Sequence, residues 1–184
     1  MAIQVIVVNG GSSSGKSGLV RCLQAILPEP WLSVGVDTFV DALPPALSGS
    51  GDGIAFGADG EVNLGDEYVR LEEAWRSGVA AMARTGALVI IDDAFLSGGE
   101  SQARLRRNLD GLEVLWVGVR CDGRIAAGRE IARGDRTVGM AILQADAVHV
   151  GVDYDIEVDT TDMGSIQCAT LVAAHLAGLG LQPR

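Results

Sequence analysis

The chain has 184 residues and a formal net charge of −10; hydrophobic residues make up 48% of it, charged residues 21% and aromatics 4%. That length suits one α/β domain able to bury its own core without covalent staples, and the acidic balance argues against general affinity for nucleic-acid backbones or anionic membrane surfaces. The cysteines Cys22, Cys121 and Cys168 form no C-x-x-C pair, which speaks against a disulfide framework or a zinc site.

Ile3 to Val8 is a β-branched run closing on Asn9, the pattern of a strand buried on both faces. Gly10 to Ser17 follows, then Leu19, Val20, Leu23, Ile26 and Leu27 recur at helical spacing until Pro28 and Pro30 stop them. Trp31 to Val36 predicts a second strand ending at Asp37, and a short helical stretch over Phe39 to Leu43 runs into Pro44 and Pro45. Six glycines lie between Gly49 and Gly65, and among them Ile54 and Phe56 mirror Val62 and Leu64 about Asp59-Gly60. Asp-Gly between alternating apolar residues signals a hairpin with a type I′ turn. Asp66 to Arg84 carries Tyr68, Leu71, Trp75, Val79 and Met82 on one helical face.

Ala87 to Ile91 predicts a third strand, ending at Asp92-Asp93, and a polar helix bearing Arg104, Arg106 and Arg107 on a solvated face comes next. Val114 to Val119 predicts the fourth strand. Two helical stretches then flank Arg133-Gly-Asp-Arg136, Tyr154 to Val158 predicts the fifth strand, and Ile166, Ala169, Ala173 and Leu176 mark the last helix. Strands alternating with helices imply right-handed crossovers and a parallel sheet covered on both faces. No linker divides the chain, so a single domain over 1–184 is expected. With no apolar run long enough for a membrane span and no signal-peptide pattern at the start, a cytoplasmic protein is expected.

Gly10, Gly11, Ser12, Ser13, Ser14, Gly15, Lys16 and Ser17 fit G-x-x-x-x-G-K-[ST] without a mismatch, between a strand and a helix as that motif requires. Its glycines let successive N–H groups turn inward onto phosphate oxygens, and the helix starting at Lys16 adds the positive end of its dipole. Lys16 supplies a cation for the β- and γ-phosphates, and the Ser17 hydroxyl a ligand for Mg²⁺. The second acidic element expected of such a site is Asp92 or Asp93. Alternate strand residues face opposite ways, and Asp92, directly after the apolar run, is favoured for the metal, with helix capping as the other reading.

Asp37 falls on the sheet edge where ligands of parallel sheets bind. A carboxylate there can accept the proton of an attacking hydroxyl; capping the following helix is its other reading, and Asp41 is a second candidate for the base. Arg133 and Arg136 lie between helices, where a closing lid delivers positive charge to a transferring phosphoryl group. Surface ion pairs are the alternative for each, and Arg120 and Arg129 are weaker candidates. Phe39, Phe56 and Trp75 are candidates for an acceptor pocket or for plain core. A guanine-reading Asn/Thr-Lys-x-Asp segment and a D-x-x-G switch are both missing, which argues against a regulatory GTPase. His149 and His175 receive no role.

Asn9-Gly-Gly-Ser-Ser-Ser-Gly-Lys-Ser17, Cys22-Leu-Gln through Leu27-Pro-Glu-Pro-Trp31 and Gly35-Val-Asp37 resemble the chloramphenicol phosphotransferases. So do Ile90-Ile-Asp-Asp93, Val114-Leu-Trp-Val-Gly-Val-Arg-Cys-Asp122, Ala132-Arg-Gly-Asp-Arg136 and Val158-Asp-Thr-Thr161. The resemblance implies a P-loop, nucleoside-monophosphate-kinase-like fold with a five-stranded parallel sheet, helices on both faces and a short lid at about 130–138. It implies ATP and Mg²⁺ as cofactors and phosphorylation of the primary (O-3) hydroxyl of chloramphenicol, with Asp37 as the activating base and Arg133 and Arg136 in the lid. The pattern departs most in 38–65, the segment expected to line the acceptor pocket. A kinase for another small hydroxylated metabolite or antibiotic, or a nucleotide-dependent regulator, are the alternative readings.

Overall fold

A computed structural model of the chain describes residues 3–58, 60–134 and 138–179. The strands β1 (Val5–Asn9), β2 (Trp31–Gly35), β5 (Leu88–Asp93), β6 (Val114–Arg120) and β7 (Ile156–Asp159) form one sheet in the order β2-β5-β1-β6-β7. Every neighbouring pair in it is parallel. A separate antiparallel pair consists of β3 (Ile54–Phe56) and β4 (Val62–Leu64). The helices are α1 (Lys16–Ile26), α2 (Val36–Ala42), α3 (Asp66–Arg84), α4 (Gly99–Asn108), α5 (Gly123–Arg133), α6 (Met140–Ala147) and α7 (Ser165–Gly178), with a 3₁₀ turn at Pro45–Leu47.

All five residues of β1 are buried, as its central place demands. Alternation sorts them onto two cores. Ile6 and Val8 pack with Leu19 and Leu23 of α1 and Val172 and Leu176 of α7. Val5 and Val7 pack with Val79 and Ala83 of α3, Leu105 of α4 and the loop residue Phe95. A third cluster, Phe39, Leu43, Ile54 and Tyr68, roots α2 and the hairpin onto α3.

Several boundaries differ from the sequence reading for local reasons. β2 stops at Gly35, whose extended backbone (φ −145°, ψ 172°) caps α2, so Asp37 lies in the first turn of a helix rather than at a strand end. Both Asp92 and Asp93 belong to β5. The fifth strand starts at Ile156 rather than at Tyr154, after Asp155 has bonded Trp116 through both its backbone N–H and its carboxylate. In the hairpin, Gly57 N–H donates to the Glu61 carbonyl and Gly60, at φ +89°, donates to that of Gly57. Asp59 lies outside the described residues.

On α4, Arg106 is exposed, as expected, and places its guanidinium 4.7 Å from the centre of the Trp116 ring. Residues 130–133 of the expected lid are the last turn of α5. Among the described residues no helix is long and apolar enough to cross a membrane.

Candidate active site

The C-terminal ends of β1, β5 and β2 open into a cleft of about 920 Å³. One side is the glycine-serine loop after β1. Its last residue before α1, Gly15, has φ +92°, and Ser13 has φ +56°, left-handed backbone that turns the chain sharply. The first helical bond of α1 runs from Leu19 N–H to the Gly15 carbonyl. The N–H groups of the first turn of α1 lie at the positive end of the helix dipole. Lys16 folds its ammonium over the loop, with Nζ 2.7 Å from the Gly10 carbonyl and 2.9 Å from that of Gly11.

The Ser17 hydroxyl donates to Asp92 Oδ2 at 3.0 Å, joining the loop to the end of β5. Burial holds the Asp92 carboxyl above the usual range; Lys16 and the Ser17 hydrogen bond oppose that, and the neighbouring Asp37 and Asp93 charges add to it. Asp93 points the other way. Its carboxylate accepts the Ala94 N–H at 2.7 Å and lies 3.5 Å from Arg76 of α3, which also pairs with Glu72 at 3.1 Å. The two adjacent acids thus have separate surroundings, one on the phosphate loop and one in the core.

Asp37 is exposed on the wall of the same cleft, beside Thr38 and Val40. Ile54, Phe56, Val62 and Tyr68 continue that wall as an apolar surface. Of the proposed aromatic residues, Phe56 reaches the cleft and is 47% exposed. Phe39 is buried, stacked edge-on to Tyr68 with centroids 5.2 Å apart and tilted against Trp75 at 5.8 Å, so it supports the wall from behind. Tyr68 was not singled out from the sequence because it reads as one more apolar residue of an amphipathic helix. Burial, first, raises its phenol well above the usual range.

Across the cleft, α5 contributes Arg129, Ala132 and Arg133, and α6 contributes Met140 and Gln144. Arg133 is exposed at the end of α5; Arg136 lies outside the described residues. Arg120 pairs with Glu157. Arg129, a weaker candidate from the sequence, instead reaches under the loop: Nη2 donates to the Thr160 carbonyl at 2.7 Å and Nη1 lies 3.3 Å from Cys121 Sγ. The Thr160 hydroxyl donates to the Ser14 carbonyl. Thr160 falls in the Val158-Asp-Thr-Thr161 segment but its role is not legible there, and Gln144 carries no sequence signal, since both act through contacts more than 130 residues away along the chain.

A family model described as chloramphenicol phosphotransferase-like protein matches residues 3–177. A Mycobacterium tuberculosis protein provisionally described as an O-phosphotransferase is 32% identical over 170 residues, spanning 86% of this chain and 75% of its own. A sugar kinase from Janibacter superposes with a TM-score of 0.68 at 17% identity, over 95% of each chain. The APS kinase of Mycobacterium tuberculosis superposes with a TM-score of 0.65 at 16% identity, over 96% of this chain and 98% of its own. The fold is that of the P-loop kinases.

Proposed function

The chain belongs to the chloramphenicol phosphotransferase-like family, and we propose that it transfers the γ-phosphoryl group of ATP to a hydroxyl of a small molecule, chloramphenicol O-3 being the acceptor. The observation that carries this reading is the 3.0 Å contact between Ser17 and Asp92 at the mouth of the glycine-serine loop, in one cleft with Asp37. A phosphate cradle, a metal-holding pair and an acid–base group converge there, as alcohol phosphorylation requires.

Lys16 and the loop from Gly10 to Ser17 hold the phosphates, through amides other than those of Ser12 and Ser14, which are bonded to Gln144 Oε1 and the Gly11 carbonyl. Mg²⁺ suits the donors present: Ser17 Oγ and an Asp92 carboxylate oxygen are hard ligands, and this ion commonly takes one or two protein oxygens with substrate phosphates and water completing the shell. Bound there, it would offset charge on the β- and γ-phosphate oxygens. Asp37 takes the hydroxyl proton as the acceptor oxygen bonds to phosphorus and the bond from phosphorus to the bridging oxygen of ADP breaks. Arg133 or Arg136 steadies the charge on the transferring group. The hairpin and its flanks, within 38–65, form the acceptor wall, and the apolar surface of Phe56, Val62 and Tyr68 suits an aromatic body. The reaction belongs in the cytoplasm, where ATP is available.

The same cleft is also lined by Arg21, Gln24, Ser33 and Thr38, which favours as a second reading a more polar hydroxylated metabolite. Incubation with Mg-ATP and chloramphenicol, followed by mass spectrometry, tests the proposal, a singly phosphorylated drug being expected. Turnover of another alcohol with none of chloramphenicol would sink the acceptor assignment. ATP binding with no acceptor in a broad screen would favour a regulator. Asp37→Asn should lower kcat by about 10²–10⁴ with ATP affinity retained; full activity in that variant would remove Asp37 as the base.

A further inference from the structure

Glu130 is 1% exposed, among the largest fully buried side chains. Its carboxylate is met by donors from two places. Oε2 accepts the Gly139 N–H at 2.9 Å, and Oε1 accepts the Ala141 N–H at 2.9 Å and lies 3.4 Å from the Ser12 hydroxyl. Gly139 and Ala141 open α6, so an acid on α5 holds the start of the next helix, where negative charge is favourable.

One turn further along α6, Gln144 is 8% exposed, and its Oε1 accepts the Ser12 N–H at 2.8 Å. The loop lies flush against that turn: a Cβ at Gly11 would stand 3.1 Å from the Gln144 carbonyl carbon. The other half of the loop is held from Arg129 through Thr160 to the Ser14 carbonyl. Adjacent residues of α5 thus serve both halves.

We propose that Glu130 and Gln144 are positioning residues of the phosphate loop, Glu130 by seating α6 and Gln144 by fixing the Ser12 amide, so that nucleotide affinity depends on this brace. The proposal rests on the nucleotide-binding reading of the loop. A buried carboxylate beside a phosphate cradle opposes an anion by its charge, so what Glu130 gives the site is position. That separates the two roles experimentally. Were its charge what matters, Glu130→Gln would tighten nucleotide binding; as a brace, the same change sets an amide NH₂ against one of its donors and weakens binding.

The test uses the full chain and MgADP as the probe. Calorimetric titration should give a Kd raised about fivefold to tenfold in Gln144→Met, the loss of one buried hydrogen bond. Tm should fall by only about 2–6 °C, the same hydrogen bond's worth, since bulk is kept. Glu130→Gln should also raise Kd, with faster NMR hydrogen exchange at Gly139 and Ala141. Wild-type affinity in Gln144→Met, or tighter binding in Glu130→Gln, would overturn the proposal. If the wild-type chain binds no MgADP, the nucleotide reading itself fails. The brace is then judged by Ser12 amide exchange in the free protein, where slow exchange in wild type and fast exchange in Gln144→Met supports it and equal rates overturn it.

Discussion

Acidification should destabilise this protein through one histidine. Asn9, just before the phosphate loop, is oriented by its Oδ1, which accepts the Phe95 N–H at 2.8 Å; its Nδ2 therefore donates to the Tyr154 hydroxyl at 2.6 Å. That hydroxyl also lies 2.6 Å from His149 Nδ1. The His149 side chain is 6% exposed, and burial above all, then the charge of Arg120, lowers its pKa from 6.5 to about 4; Glu157 opposes this, Lys16 adds to it and Asp146 opposes it, in falling order. Above pH 6.5 the ring is neutral in both folded and unfolded chains and contributes nothing to pH dependence. Below it the unfolded chain takes a proton that the folded one refuses, so stability falls, by about 2 kcal/mol at pH 5 and about 3 kcal/mol once pH reaches about 4. Below that, both states are protonated and the loss levels off. Urea unfolding of wild type and His149→Gln at pH 7, 6 and 5 measures it. The variant should be less stable at pH 7, and the gap should shrink by about 2 kcal/mol by pH 5. Stability curves of wild type and variant that run parallel would refute the reasoning.

Lys16→Met should lower kcat by about 10²–10³ without unfolding the chain, because it removes the cation at the phosphates and leaves the loop backbone in place; steady-state kinetics and circular dichroism report the two separately. Ser17→Ala and Asp92→Asn should each move the Mg²⁺ activation curve to about tenfold higher metal concentration, read from initial rates across a Mg²⁺ titration. Arg76→Met should leave Glu72 and Asp93 buried without their shared cation, at a loss of about 3–5 kcal/mol. A calorimetric melt should then show Tm lower by roughly 6–20 °C.

What the sequence makes legible is whatever a short stretch of chain decides for itself. The loop from Gly10 to Ser17 and the strand before it are contiguous, so spacing alone announces them, and strand alternation already implied that Asp92 and Asp93 face apart. The partner that occupies Asp93 was not legible, because Arg76 reads as one charge on an amphipathic helix until α3 docks and buries it with its carboxylates. Asp37 was placed on the right edge of the sheet and in the wrong element, since Val36 and its β-branched neighbours extend the strand pattern past Gly35, where the backbone turns into α2.

The arginines show the same limit. Position between two helices drew attention to Arg133 and Arg136, whereas the guanidinium that grips the chain beneath the loop is that of Arg129, through Thr160. Glu130 and Gln144 look like ordinary helix residues, yet they meet Ser12 across separations of 118 and 132 residues. A motif therefore identifies the atoms that touch phosphate, while the stiffness of those atoms comes from distant helices. Changes on α5 and α6 that leave the motif intact should accordingly alter nucleotide affinity before they alter the fold.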